Sequence, residues 1–276
     1  MSTITYKIGD PCVCRLCGSH FPDETEPDFC PICKDDRGLG FTPEGQPFSN
    51  LGTLRRSHHT INREEEPGLI GIGVEPRISA NHRALLVCTD EGNVLWDCVP
   101  IIDDAAIGLV QELGGLTAIA VSHPHFYGAM VEWSRAFGGT PVYIHAADRG
   151  WVTYPDSAII YWQGEQHELP GGLTLINCGG HFDGATVLHW PAGAEGNGVL
   201  LTGDPISVTP NRQVTFMYAY GNLIPLSARS VTRVVNSVEP FVFDRIYGGF
   251  FNARVDCDAK AVVERSAQRY LRALEA

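Results

Sequence analysis

Short apolar runs alternate with segments of helical periodicity over most of the chain after Leu69. The runs ALLVC and VLWDC, separated by TDEGN, predict a β-hairpin. The segment DDAAIGLVQELGG predicts a helix that begins at Asp103 or Asp104 and stops at Gly114. SARSVTRVVNSVEP and DAKAVVERSAQRYLRALEA predict two further helices. Hairpins mixed with strand-loop-helix units predict an α/β (α+β) sandwich with functional loops at one edge of its sheets.

A buried strand, LTAIAVS, runs directly into His123 and His125. One residue separates the two, so in an extended segment both rings lie on the same side and can hold one cation. Two other strand ends carry ligand-type residues, His181 in NCGGHFDG and Asp204 in LLTGDP. Three imidazoles and a carboxylate suit zinc or iron. These four residues could therefore share a metal site.

The first 50 residues follow a different pattern, because five of the nine cysteines lie between Cys12 and Cys33. Cys14 and Cys17 form one CxxC knuckle, and Cys30 and Cys33 form another. Two such knuckles are typical of structural zinc, since four thiolates close the coordination shell. Cys12 could replace Cys14 as a ligand. A rubredoxin-like iron centre and a set of unligated thiols are the alternatives.

The stretch GLGFTPEGQPFSN is rich in glycine and proline and predicts a boundary near Asn50. We therefore expect a small four-cysteine zinc-binding segment at residues 1–50 and a larger domain at residues 51–276. The larger domain would carry the histidines described above.

Composition excludes several classes of partner. The formal net charge of the 276-residue chain is -12 and its basic residues are scattered, so its surface should repel a phosphate backbone. The sequence has no run of about 18 apolar residues that could span a bilayer, and the N-terminus lacks the features of a signal peptide. We expect a cytoplasmic protein with a small-molecule substrate and no nucleic-acid or membrane partner. Phe216, Met217, Tyr218 and Tyr220 could line a pocket or form a homodimer contact.

The stretches AVSHPHFYG, GGHFDG and LLTGD, in this order and at these distances, resemble the metallo-β-lactamase superfamily, which includes glyoxalase second-step hydrolases and lactonases. The resemblance runs from about Leu69 to the C-terminus and implies a four-layer αββα sandwich. That family writes its first motif as His-x-His-x-Asp-His, in which the Asp-His pair and a terminal histidine hold a second metal. Here Tyr127 and Gly128 replace that pair, and IYGGFFNAR has no histidine. The resemblance therefore implies a mononuclear centre, with Asp204 either as the fourth ligand or as a carboxylate that supports the ligands.

A single open cation can activate water against an ester, thioester, lactone or amide, so we expect a metallohydrolase. Tyr127 could donate a hydrogen bond to a developing oxyanion, or ionise if its pKa is lowered. Asp183 could act as general base or orient His181.

Three alternatives to a hydrolase remain open at this stage. One is a mononuclear non-haem iron oxidoreductase or dioxygenase of the same fold. Another is a catalytically weak binding protein that docks through its cysteine knuckles. The last is a degenerate relative whose histidines only hydrogen-bond one another.

Overall fold

A computed structural model of the chain describes residues 9–22, 26–38 and 48–275. The strands, in chain order, are β1 (Cys12–Cys14), β2 (His20–Phe21), β3 (Phe48–Asn50), β4 (His59–Glu66), β5 (Leu69–Glu75), β6 (Ala84–Val87), β7 (Val94–Trp96), β8 (Ala118–Ala120), β9 (Val142–His145), β10 (Ile159–Trp162), β11 (Gln166–Leu169), β12 (Leu173–Asn177), β13 (Thr186–Trp190), β14 (Val199–Leu201), β15 (Ser207–Val208), β16 (Val214–Thr215), β17 (Met217–Ala219), β18 (Ile224–Pro225), β19 (Arg245–Tyr247) and β20 (Arg254–Val255). The α-helices are α1 (Pro31–Lys34), α2 (Leu51–Leu54), α3 (Asp104–Glu112), α4 (Met130–Ala136), α5 (Gly193–Gly196), α6 (Ala228–Val238) and α7 (Ala259–Glu275). Short 3-10 turns span Pro124–Phe126, Ala146–Trp151 and Pro170–Gly172.

Two large mixed sheets form the centre of the molecule. One has seven strands in the order β10-β9-β8-β7-β6-β5-β4, and the other has six in the order β11-β12-β13-β14-β19-β20. The alternation of side chains along a strand lets each sheet bury both of its faces. In β6, Leu85 and Val87 belong to an apolar cluster shared with the second sheet, whereas Ala84 and Leu86 belong to a cluster on the opposite face.

Helices cover the two outer faces. Ile107 and Val110 of α3 and Trp133 of α4 pack on the seven-stranded sheet. On the six-stranded sheet, the outer cluster includes Val231 of α6 and Val262 of α7. The layers are therefore helix, sheet, sheet, helix, which confirms the four-layer αββα sandwich.

Local signals account for these elements. The predicted hairpin is the antiparallel pair β6 and β7, in which Leu85 lies opposite Trp96. Helix α3 begins where the Asp103 side chain accepts a hydrogen bond from the backbone of Ala106. Ser227 caps α6 in the same way. No helix in the described part of the chain is long and apolar enough to cross a membrane.

The N-terminal region forms a small antiparallel sheet in the order β2-β1-β3, with α1 beside it. It packs directly on the sandwich. Val13 joins the cluster on the outer face of the seven-stranded sheet, and His20 Nε2 donates a hydrogen bond to the Pro100 carbonyl, 2.8 Å away. Helix α2 begins at Leu51, directly after β3. The division into residues 1–50 and 51–276 stays a prediction.

Candidate metal centres

Four ligand-type side chains meet at one edge of the two sheets. His123 and His125 follow β8, His181 lies in the loop between β12 and β13, and Asp204 follows β14. One ligand atom from each lies within 4.8 Å of those from the others. His123, His181 and Asp204 are buried. We call these four residues the histidine cluster.

The spacing within the histidine cluster fits one metal ion. His125 Nδ1 lies 3.2 Å from His181 Nε2, and Asp204 Oδ2 lies 3.3 Å from His123 Nε2 and 3.9 Å from His181 Nε2. A tetrahedral ion with bonds of about 2.0–2.2 Å places its ligands about 3.3–3.6 Å apart. His123 Nε2 is buried and lacks a hydrogen-bond partner in the described part of the chain. The donor set and its spacing therefore suit a zinc-sized or iron-sized cation.

Neighbouring groups orient the ligand rings. His181 Nδ1 donates to the Tyr218 carbonyl, 2.8 Å away. Because a carbonyl can only accept, the ring proton lies on Nδ1 and Nε2 keeps its lone pair. His123 Nδ1 lies 2.8 Å from Ser122 Oγ. Both rings thus turn Nε2 toward the centre of the cluster.

Burial sets the protonation state of the cluster. Removal from water lowers the pKa of His181 to about 4 and lowers that of His125 well below its usual value. Burial opposes ionisation of Asp204, but the interaction with His123 and the neighbouring imidazoles outweigh it, and the pKa of Asp204 is about 2. At neutral pH His125 and His181 are therefore neutral and Asp204 is a carboxylate, which are the forms that bind metal.

A buried carboxylate supports the cluster and escaped the sequence analysis. Asp97 Oδ1 accepts a hydrogen bond from the backbone of Ser122, 2.8 Å away, and burial raises the pKa of Asp97 to about 7. The backbone of Gly203, with a φ of 54°, lies close to Ser122, and a Cβ on this glycine would be only 2.6 Å from Ser122 Oγ. This glycine therefore lets the Asp204 loop reach His123. In the sequence, Asp97 was only part of a predicted strand.

Tyr127 and Asp183, two of the side chains with proposed catalytic roles, differ in exposure, since Tyr127 is buried and Asp183 is not. The Tyr127 hydroxyl donates to the Asp148 carbonyl, 3.3 Å away, and burial raises the pKa of Tyr127 well above its usual value. Ionisation of Tyr127 was proposed only if its pKa is lowered, so these surroundings favour the neutral phenol, and its role as a hydrogen-bond donor to an oxyanion stays a prediction. Asp183 is exposed. The Tyr218 carbonyl accepts the hydrogen bond from His181 Nδ1, and the roles of Asp183 as general base or as a residue that orients His181 stay predictions.

The positions that would hold a second metal ligand are filled by other groups. Gly128 has a φ of 42°, and a Cβ there would lie 2.1 Å from the Cys98 carbonyl oxygen. A histidine at this position would require the backbone to move. After β19, the segment without histidine places Phe250 beside Phe126, with ring centroids 6.1 Å apart.

The second candidate centre is the cysteine cluster, which comprises Cys14, Cys17, Cys30 and Cys33. All four are buried. The Sγ atoms of Cys14 and Cys33 are 3.7 Å apart, and those of Cys17 and Cys30 are 3.5 Å apart. Four thiolates around zinc, with bonds of about 2.3 Å, would be separated by about 3.8 Å. Cys12 lies outside the cluster, so the geometry favours Cys14 as the N-terminal ligand.

Charge within the cysteine cluster is unevenly held. Hydrogen bonds from the other three thiols lower the pKa of Cys14 far below its usual value. The same hydrogen bonds to Cys14, together with burial, raise the pKa of Cys17 and Cys33. A cation would be needed to keep all four as thiolates.

A cavity of about 130 Å³ adjoins the histidine cluster. It is bordered by His125, Asp204, Cys17, Arg37, Phe126 and Phe250. One cavity therefore borders both candidate metal centres. Tyr220 also borders it, whereas Phe216 lies in the core beneath α6 and α7. A homodimer contact through this aromatic stretch stays a prediction.

Arg37 is a site residue that the sequence did not reveal. It follows α1, and its guanidinium pairs with both oxygens of Asp35, at 2.5 and 3.0 Å. It also donates to the His181 carbonyl, 3.2 Å away, and lies 4.0 Å from the centre of the Phe182 ring. A single arginine four residues after Cys33 gave no signal of this role.

Solved structures with the same architecture are metallo-β-lactamases. FIM-1 from Pseudomonas aeruginosa in the mono-zinc form matches with a TM-score of 0.58 and 16% identity over 78% of this chain and 96% of that one. DIM-1 exposed to ceftazidime matches with a TM-score of 0.58 and 11% identity over 76% and 97% of the two chains. A HARLDQ-motif mutant metallo-β-lactamase from Cronobacter sakazakii matches with a TM-score of 0.51 and 19% identity, over 78% of this chain and 95% of that one. The chain therefore has the metallo-β-lactamase fold.

The sequence comparison gives the family. The uncharacterized protein YmaE of Bacillus subtilis (strain 168) is 43% identical over 266 residues, which cover 95% of this chain and 96% of YmaE. The chain belongs to the same family as YmaE. No protein-family profile matches it.

Proposed function

We propose that the chain is a metal-dependent hydrolase with one catalytic ion in the histidine cluster and a structural zinc ion in the cysteine cluster. The observation that carries the proposal is the histidine cluster itself. Its donor atoms lie 3.2, 3.3 and 3.9 Å apart, and two of its members, His125 and Asp204, border a cavity. A cluster that only completed a packed core would have no such open side.

The proposed chemistry is the attack of water on a carbonyl carbon. A divalent cation, when bound, would polarise a carbonyl oxygen and lower the pKa of water towards about 7. Burial keeps His125 and His181 neutral, Ser122 contacts the His123 ring, and the Tyr218 carbonyl orients the His181 ring. Phe126 and Phe250 border the cavity with apolar surface and limit the access of bulk water.

A single catalytic ion is proposed because, among residues 9–22, 26–38 and 48–275, no second set of ligands lies beside the histidine cluster. Tyr127 donates its hydroxyl to the Asp148 carbonyl, and Gly128 has no room for a side chain. The mono-zinc form of FIM-1 supports the proposal from outside, since a chain of the same fold is described there with one zinc ion. Three imidazoles and a carboxylate suit zinc and iron alike, so the identity of the ion is left to measurement.

The proposed substrate is a small molecule with an ester, thioester, lactone or amide bond. The cavity of about 130 Å³ suits a small ligand. The net charge of -12 argues against a nucleic-acid partner. A cytoplasmic location without a membrane partner remains part of the proposal.

Substitution of one ligand tests the proposal. We expect His123→Ala to lose the ion of the histidine cluster, to retain that of the cysteine cluster, and to reduce hydrolysis of a lactone and ester panel to background. His59→Ala is the matched control, because His59 is exposed and far along the chain from the cluster. Elemental analysis of both purified variants gives the ion count. Unchanged metal content and hydrolysis in His123→Ala would overturn the assignment.

A further inference from the structure

The cavity beside the histidine cluster has walls from two parts of the chain. The sandwich contributes the ligands His125 and Asp204 and the rings of Phe126 and Phe250. The N-terminal region contributes Cys17, a member of the cysteine cluster, and Arg37. One member of the candidate structural centre, Cys17, thus borders the space in which a substrate would meet the catalytic ion.

Cys17 and Arg37 form the N-terminal wall of the cavity, and several contacts hold this part of the chain against the sandwich. Arg37 donates to the carbonyl of His181, a member of that cluster, and stacks on Phe182. Asn222, in the turn between β17 and β18, donates its side-chain amide to the Asp36 carbonyl, 2.9 Å away. Trp151 packs on the cysteine cluster and meets the Phe182 ring edge-on, with centroids 5.5 Å apart. These contacts describe a fixed wall.

The charge of Arg37 is already used. Asp35 pairs with Nε and Nη2 in the two-pronged geometry that arginine and carboxylate prefer, and His181 accepts from Nη1. Arg37 therefore serves as a positioning residue that holds the wall, and it has little capacity left to bind an anionic substrate. Ala80, Phe126 and Phe250 give the rest of the cavity an apolar lining.

Volume then limits what can enter. A cavity of about 150 Å³ in another protein holds benzene, so the 130 Å³ here corresponds to about six non-hydrogen atoms. We propose that the N-terminal wall formed by Cys17 and Arg37 restricts this site to compact, uncharged ester or lactone substrates whose acyl part has about six non-hydrogen atoms or fewer. This inference rests on the proposed hydrolase function for its substrate and on the cavity for its size limit.

Binding of linear hydroxamates tests the size limit without turnover. Acetohydroxamate, butyrohydroxamate and octanohydroxamate are titrated into the full-length protein loaded with cobalt, and binding is followed through the visible spectrum. We expect the dissociation constant of octanohydroxamate to exceed that of butyrohydroxamate by about tenfold or more, since overfilling a packed cavity is costly. Equal affinity for the two would overturn the proposal.

Variants assign the limit to the wall. Arg37→Ala should reduce the difference between the two hydroxamates to about threefold or less by loosening the wall, whereas Arg15→Ala, at an exposed position of the same region, should leave it unchanged. Ala80→Leu should weaken butyrohydroxamate binding about tenfold by filling the cavity, with the metal content unchanged. Ala80 lies outside the wall, so Ala80→Leu tests the size limit itself. If Arg37→Ala does not fold, Arg37→Lys, which keeps the charge but loses the two-pronged pairing with Asp35, tests the wall in the same titration and should also reduce the difference. If neither the Arg37 variant nor Ala80→Leu changed hydroxamate binding, the proposal would be contradicted.

Hydrolysis of γ-butyrolactone and γ-decalactone separates this inference from the proposed function. A size limit in hydroxamate binding together with preferred cleavage of the short lactone supports both. A size limit in hydroxamate binding without cleavage of any lactone or ester would support the size limit set by the N-terminal wall but overturn the hydrolase proposal.

Discussion

The cysteine cluster and the histidine cluster have similar distances between their ligand atoms, but their ligands come from different parts of the chain. The cysteine ligands come from a stretch of 20 residues, Cys14 to Cys33, and all four are buried. The histidine ligands come from both sheets and span residues 123–204, and two of them border a cavity. Four thiolates leave no open coordination position, so the first centre suits stability. The second depends on the whole sandwich and keeps a side toward a ligand, which suits chemistry.

The largest expected effect is on stability and comes from the cysteine cluster. Cys30→Ser should lose the ion of this cluster and lower the free energy of unfolding by at least about 4 kcal/mol, because the small N-terminal sheet has little core of its own. Denaturant unfolding and elemental analysis measure the two effects. Cys257→Ser, at an exposed position, is the control. Equal behaviour of the two variants would show that the cysteine cluster holds no structural ion.

A smaller effect is expected on the metal affinity of the histidine cluster. Ser122→Ala removes the hydroxyl 2.8 Å from His123 Nδ1, so the ring is less well oriented and the affinity should fall about 10- to 100-fold, with the cysteine cluster unaffected. Competition with a chelator measures it. Ser134→Ala is a matched control, since Ser134 is a buried serine whose hydroxyl bonds to the Thr140 carbonyl. Equal affinity in both variants would remove Ser122 from the site.

The smallest expected effect is a pH dependence of the contact between the two regions. His20 is buried against Pro100, and burial lowers its pKa from 6.5 to about 4. Between pH 6.5 and pH 4, His20 is therefore protonated in the unfolded chain but not in the folded chain, and the free energy of unfolding falls as the pH drops through this range. Between pH 7 and pH 5 this group should cost about 2 kcal/mol.

His20→Gln should remove that part of the acid sensitivity, because glutamine can still donate to the Pro100 carbonyl without titrating in this range. Urea unfolding at pH 7 and pH 5 measures it, and His59→Gln at an exposed position serves as the control. If His20→Gln and the wild type lose the same stability between the two pH values, burial of His20 has no part in the acid response.

The same contrast explains what the sequence could predict. The cysteine knuckles are local, so the spacing of Cys14 and Cys17 alone indicates a shared ion. His123 and His125 follow from the period of a strand. His181 joined them because it also follows a predicted strand, and the family resemblance then supported this grouping. The hairpin and the helix capped by Asp103 were likewise predictable from short stretches.

Features that depend on how distant loops meet escaped prediction. Arg37 reaches His181 across 144 positions of the chain, and no local pattern encodes that contact. The Asp97 carboxylate meets Ser122 only because β7 and β8 are neighbours. For Tyr127 the sequence allowed either a donor to the substrate or a packed aromatic, because the partner of its hydroxyl, the Asp148 carbonyl, lies on another loop.

Anomalous scattering from crystals of the full-length protein, recorded at the zinc and iron absorption edges, tests the central claim most directly. The account predicts two peaks per chain, one among the four cysteine Sγ atoms and one bounded by His123, His125, His181 and Asp204. A histidine cluster without a peak, or with a second ion beside Tyr127, would contradict a single catalytic ion at this edge of the sandwich.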